Sequence, residues 1–159
     1  MGIYSIDVSE LQGNIDWKQL KEAGIELAMI RAGYGAGVVD LQFRKNAQGC
    51  NDTGIPCGVY WFSYAYTPEM AEKEAEFCIE TIEEYEISHP VCIDFEEASI
   101  RYARSRGREI TEETAVEIIE RFCSRAEELG YSARYYSKRT GVVNPKKICE
   151  VFKAEVSLK

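Results

Sequence analysis

The chain has 159 residues, 19 Lys plus Arg against 27 Asp plus Glu, and a formal net charge of −8 at pH 7. At 45% apolar and 29% charged residues it is too apolar for a disordered chain and long enough for one domain, 1–159, with a real core. The acidic balance argues against nucleic acid or an anionic membrane as partner, because both require clustered Lys and Arg.

Hydrophobic periodicity predicts short strands alternating with amphipathic helices. The first strand is Ile3 to Val8. A helix starts after Asp16, an N-cap, and stops at Gly24. Glu26 to Ala32 is the second strand, followed by a helix over about Leu41 to Asp52. The third strand, Gly58 to Tyr64 (GVYWFSY), is rich in β-branched and aromatic residues. Thr67-Pro68 opens a long helix whose apolar face is Ala71, Ala75, Cys78 and Ile82. Val91 to Phe95 is the fourth strand. ASIRYARSRGREI, 98–110, is read as a loop. Thr111 caps a helix with Ala115, Ile118, Phe122, Ala126 and Leu129 on its buried face. Ala133 to Ser137 is the fifth strand. A short helix near Pro145 to Phe152 and a strand near Ala154 to Leu158 complete the chain.

This order predicts parallel strands with crossover helices, either doubly wound or in a barrel. Both place their chemistry at the C-terminal strand ends. No GxGxxG follows the first strand and no GxxxxGK[ST] occurs, so nucleotide binding is disfavoured. The six cysteines, Cys50, Cys57, Cys78, Cys92, Cys123 and Cys149, contain no CxxC pair, and His89 is the only histidine. A metal site and a Ser-His-Asp or Cys-His engine are therefore disfavoured, and no cofactor is signalled. Settings such as PVCID and ERFCSR read as small buried hydrophobes in a reducing compartment. No stretch approaches the roughly 18 apolar residues of a membrane span. MGIYSIDVSE has neither the basic start nor the apolar run of a signal peptide.

Polar residues collect at the strand ends: Asp7 on the first strand, Arg31 on the second, and HPVCIDFEE around the fourth. Tyr60, Phe62 and Tyr64 share one face of the third strand, with Trp61 opposite. Asp94 and Glu96 are two apart, about 6.6 Å between Cα atoms, and point the same way with Phe95 opposite. Like charges at that spacing raise one pKa and make one group a proton donor, which glycosidic cleavage requires. A bare DxE also fits a plain ion pair with Arg31 or a lysine.

IDVSELQGNIDW, LAMIRAGYG, LQFRKNAQGCNDTGIPCGVYWFSYA and PVCIDFEE, in that order over about residues 3–137, resemble the lysozymes of glycoside hydrolase family 25. The resemblance implies an irregular β/α barrel that cuts the β-1,4 bond between N-acetylmuramic acid and N-acetylglucosamine in peptidoglycan. It implies Glu96 as proton donor, Asp94 as the partner that orients or stabilises the substrate's N-acetyl group, and Asp7 as a third active-site carboxylate. Tyr60, Tyr64, Arg31 and Tyr136 are the matching substrate-binding positions. Trp61 stands where many members carry His.

The tail, 138–159, departs from the family pattern. The WxxQY-like strand and the segment with a further active-site Asp are not matched. A complete (β/α)₈ barrel usually takes about 200–250 residues, so the expectation is an incomplete barrel of five to six parallel strands. Pairing of two copies as a homodimer would cover its open edge. Three readings follow: a muramidase acting on the extracellular wall, reached by signal-independent release; a truncated, non-catalytic relative that binds wall glycan or is a fragment; or another substrate-assisted hexosaminidase. The DVSxxQGxIDW opening favours the first.

Overall fold

Alternation along each strand decides which side of the sheet a residue takes. The computed structural model describes residues 3–137 and the backbone of Ser157–Leu158. Its strands are β1 (Ser5–Val8), β2 (Leu27–Tyr34), β3 (Val38–Val39), β4 (Cys57–Phe62), β5 (Val91–Asp94), β6 (Ala133–Ser137) and β7 (Ser157–Leu158). Its helices are α1 (Trp17–Glu22), α2 (Phe43–Thr53), α3 (Pro68–Ile82), α4 (Glu97–Ser105) and α5 (Glu112–Glu128). The strand order is β1-β2-β4-β5-β6-β7 with every neighbouring pair parallel, and β3 folds back antiparallel on β2. Six parallel strands agree with the expected α/β sheet.

Val8, Ile30, Val59, Ile93 and Tyr135 face the helices and form the main core with Phe43, Ile82, Ile118 and Phe122. The other face carries a second, smaller cluster of Met29, Tyr60, Cys92 and Tyr136. This split is the period-2 pattern of strands that bury both faces. Among the described cysteines, Cys50, Cys57, Cys78, Cys92 and Cys123 are free and buried, as their apolar settings suggest.

The predicted caps close their helices. Asp16 accepts from the Gln19 N–H at 3.0 Å, Thr67 from Met70 at 3.2 Å and Thr111 from Thr114 at 3.1 Å. Each such bond satisfies a donor that the first turn cannot pair, worth about 1 kcal/mol. Gly54 ends α2 at φ 70°, a conformation that favours glycine.

Two features depart from the sequence reading. Residues 98–110 are not all loop, because Glu97–Ser105 is helical. Its buried face is only Ser99, Ile100 and Ala103, too narrow a stripe to stand out among the arginines. The second strand runs past Ala32 to Tyr34, with a register shift against β4 between Arg31 and Gly33. This bulge pairs Gly33 with Trp61 and Tyr34 with Phe62, so it re-aims the strand where the chemistry lies. The tail helix near Pro145 to Phe152 lies outside the described residues. Of the last expected strand, only Ser157–Leu158 is described.

Trp61 is fully buried on the helix side and donates its indole N–H to the Gly35 carbonyl at 3.0 Å. Its ring leaves no room for a side chain at residue 33. A Cβ there would press on the Val38 carbonyl oxygen and lie 2.5 Å from Trp61 Cζ3. Gly33→Ala is therefore expected to destabilise the chain by about 1–3 kcal/mol, read as a lower thermal midpoint. An unchanged midpoint would contradict this packing.

Candidate active site

Asp7, near the end of β1, receives two phenolic hydroxyls. Tyr60 on β4 donates to its Oδ1 at 3.0 Å, and Tyr136 on β6 donates to its Oδ2. β1 and β6 stand four places apart in the strand order, about 19 Å across a flat sheet. An aspartate and a tyrosine cannot span that distance. The sheet therefore curls until β1 faces β6 across its inner side, as in a barrel wall. The two tyrosine rings stack at 5.5 Å between centroids. Burial, reinforced by the Asp7 carboxylate, pushes both phenol pKa values well above their ordinary value. Both groups therefore remain protonated donors at neutral pH.

Asp94 ends β5 and is 1% exposed. Its register partners are Phe62 and Tyr136. Its charge adds to the upward push on both tyrosines, which places it in the same cluster. Phe95 turns into the helix-side core, and its carbonyl accepts the Tyr135 hydroxyl at 3.1 Å. Glu96 is still extended, at φ −132° and ψ −177°, so the alternation of β5 continues past Asp94 as far as Glu96. The Glu96 N–H donates to Ser99 Oγ at 3.1 Å, which starts α4. The Asp94–Glu96 segment is thus held from both sides, and Glu96 itself is half-buried.

The other expected binding residues have distinct settings. Tyr60 and Tyr136 are each 1% exposed and are committed to Asp7. Arg31 lies 2.8 Å from Asp40 and 2.8 Å from Glu10, with its guanidinium 5.1 Å from the Tyr34 ring centroid. Its two ion-pair partners thus come from the 3-10 turn after β1 and from the residue after β3. Tyr64 is half-buried and walls two hollows. One, of about 310 Å³, is lined by Glu10, Leu11, Arg31, Tyr34, Phe62 and Tyr64. The other, of about 500 Å³, continues past Tyr34 and Tyr64 to Met70, Phe77 and Tyr102.

Tyr34, Tyr102 and Glu74 escaped the sequence reading. Glu74 sits within the apolar stripe of α3 between Ala71 and Ala75, and an acid on a buried face was the available signal. It is 3% exposed and accepts the Ser63 hydroxyl at 2.6 Å and the Tyr64 N–H at 3.0 Å. Ser63 Oγ in turn accepts the Ala65 N–H at 3.1 Å. The carboxyl thus shapes the turn that carries Tyr64. Burial pushes its pKa up to about 8, against the downward pull of these hydrogen bonds.

Carboxylates thus stand at the C-terminal ends of parallel strands with aromatic residues around them, in an α/β fold. The profile of "Glycosyl hydrolases family 25" matches residues 6–153, and the chain belongs to that family. It is 39% identical over 62 residues to Lysozyme M1 of Streptomyces globisporus, covering 39% of this chain and 21% of that protein. Among solved structures, the modular autolysin LytC of Streptococcus pneumoniae, in complex with a synthetic peptidoglycan ligand, is 31% identical. It covers 85% of this chain and 32% of LytC, with a TM-score of 0.71. A family 25 glycosyl hydrolase from Bacillus anthracis shares the fold at 24% identity and a TM-score of 0.73, covering 99% of this chain and 69% of that one. Matches to curated relatives span between 21% and 42% of their length. No helix among the described residues is long and apolar enough to cross a membrane.

Glu74 makes stability depend on pH. The folded chain keeps this proton up to about pH 8, whereas an unfolded glutamate loses it near about 4.3. Between those values the folded state binds more protons, so this contribution weakens the fold as pH rises. Glu74→Gln removes the titration. Its stability relative to the parent is expected to rise by roughly 2–5 kcal/mol between pH 5 and pH 8, measured by urea unfolding. A difference that stays constant with pH would contradict the assignment.

Proposed function

We propose that the chain is a peptidoglycan hydrolase that cleaves the β-1,4 bond between N-acetylmuramic acid and N-acetylglucosamine. The observation that supports this most is the convergence of Asp7 and Asp94 on one inner cluster, with Glu96 leaving the same strand end. Family membership and the lysozyme relatives point the same way.

In this reading Glu96 is the acid. Its half-exposed setting lets its proton reach the glycosidic oxygen as the bond to the anomeric carbon breaks. The acetamido oxygen of the same sugar closes on the anomeric carbon as the leaving sugar departs. Asp94 accepts the acetamido N–H and balances the positive charge that develops there. Water then attacks the anomeric carbon and restores the acetamide, with Glu96 taking the proton of the water. Asp7, held by Tyr60 and Tyr136, supplies fixed negative charge on the same side. Tyr64 offers a ring face to a sugar, and Arg31 fixes the Glu10–Asp40 rim. The ligand is the glycan strand of peptidoglycan, and the place of action is the cell wall.

Glu96→Gln keeps the shape of the side chain and removes its proton. It is expected to lower the clearing rate of a purified peptidoglycan suspension by at least about 100-fold, with its circular dichroism unchanged. Clearing at the parental rate would remove Glu96 from the chemistry. If the parent itself clears nothing yet binds the glycan, the reading as a binding protein replaces this one.

A further inference from the structure

One surface beside the cleft has a charge opposite to that of the molecule. Residues 101–108, RYARSRGR, hold four arginines and no acid in a chain of net charge −8. They form the end of α4 and the turn after it, and Glu96 caps the start of the same helix. All four arginines are exposed. Arg104 lies 3.5 Å from Glu109. Arg106 and Arg108 form no ion pair among the described residues and instead lie over aromatic rings. The Arg106 Cζ is 5.4 Å from the Tyr102 centroid, and the Arg108 Cζ is 5.8 Å from the Tyr66 centroid.

Tyr102 belongs to the wall of the cleft, and Tyr66 lies beside it. Tyr66 and Tyr102 are 6.5 Å apart, Tyr102 and Tyr64 are 4.8 Å apart, and Tyr64 and Phe62 are 5.2 Å apart. A continuous aromatic strip therefore runs from the hollow beside Arg31 to the two arginines. A guanidinium stacked on a ring uses its face and leaves its N–H edges for an acceptor, and its planar fork matches a carboxylate. The wall between the two ends is the apolar groove of about 500 Å³, suited to small apolar groups.

We propose that Arg106 and Arg108 form a carboxylate-binding rim for the short peptides that wall glycan carries, with the apolar residues of those peptides along the groove. The proposal rests on the reading of the cleft as a wall-glycan site. A ligand tethered to the bound sugar fits the continuity of the strip. It also fits the acidity of the rest of the chain, which repels free polyanions.

The test measures the affinity of the full chain for two soluble probes by calorimetry: a muramyl disaccharide bearing a tetrapeptide, and the same disaccharide without it. The parent is expected to bind the peptide-bearing probe about tenfold more tightly. In an Arg106→Gln, Arg108→Gln double variant, folded by circular dichroism, that ratio should fall to near one. The Arg106→Lys, Arg108→Lys pair, which keeps charge but loses the fork, should restore it only in part. A ratio unchanged in the glutamine variant overturns the rim, as does a parent that binds both probes equally. A parent that binds neither probe overturns the cleft reading, and the rim with it. A third arm uses a soluble glycerol phosphate polymer. If arginine replacement weakens binding of that polymer and leaves the muropeptide ratio intact, the ligand is phosphate and the proposal fails.

Discussion

Asp7 is the point on which the inner side of the sheet closes. Hydroxyls from β4 and β6 meet on a carboxylate carried by β1, and only a strongly curled sheet brings those strands within reach. The curl turns the inner face of every strand toward one axis, so Asp94 and the stacked Tyr60 and Tyr136 share a small volume. A carboxylate in such a place is tolerated because both of its oxygens are hydrogen-bonded. The same two bonds fix its orientation, and a charge held in a set orientation is what a cleft needs to act on a developing cation. Stability and proposed function thus rest on one contact set.

The outer side of the sheet supports this arrangement at a distance. Trp61 fills the layer between β4 and the helices, packs closely on Gly33 and bonds to the Gly35 carbonyl between β2 and β3. The bulge at the same place puts Tyr34 beside Phe62, which starts the aromatic wall. Glu74 reaches from α3 to the turn bearing Tyr64, the next ring along. Two packing choices and one buried acid therefore line up a wall whose residues come from β2, β4, the turn after β4, and α4.

Much of this was legible in the sequence. The period-2 alternation separated Trp61 from Tyr60 and Phe62, and it separated Phe95 from Asp94 and Glu96. Asp16, Thr67 and Thr111 marked helix starts because capping is a local interaction. What escaped depends on residues far apart in the chain. Glu10, Arg31 and Asp40 form their network across the β2–β3 hairpin, and no short window holds all three. The α4 helix buries too few side chains to impose a visible period. The family resemblance implies Tyr60 and Tyr136 as substrate contacts, and their hydrogen bonds to Asp7 depend on sheet curvature, which alternation alone does not encode.

The central claim is that these carboxylates cut wall glycan on the reducing side of N-acetylmuramic acid. Mass spectrometry of the soluble products released from purified peptidoglycan, after borohydride reduction, tests it most directly. The account predicts fragments whose reduced ends are N-acetylmuramitol, released at least about 100-fold more slowly by the Glu96→Gln variant. Fragments ending in reduced N-acetylglucosamine, or release of the same products by the variant at the parental rate, would contradict it.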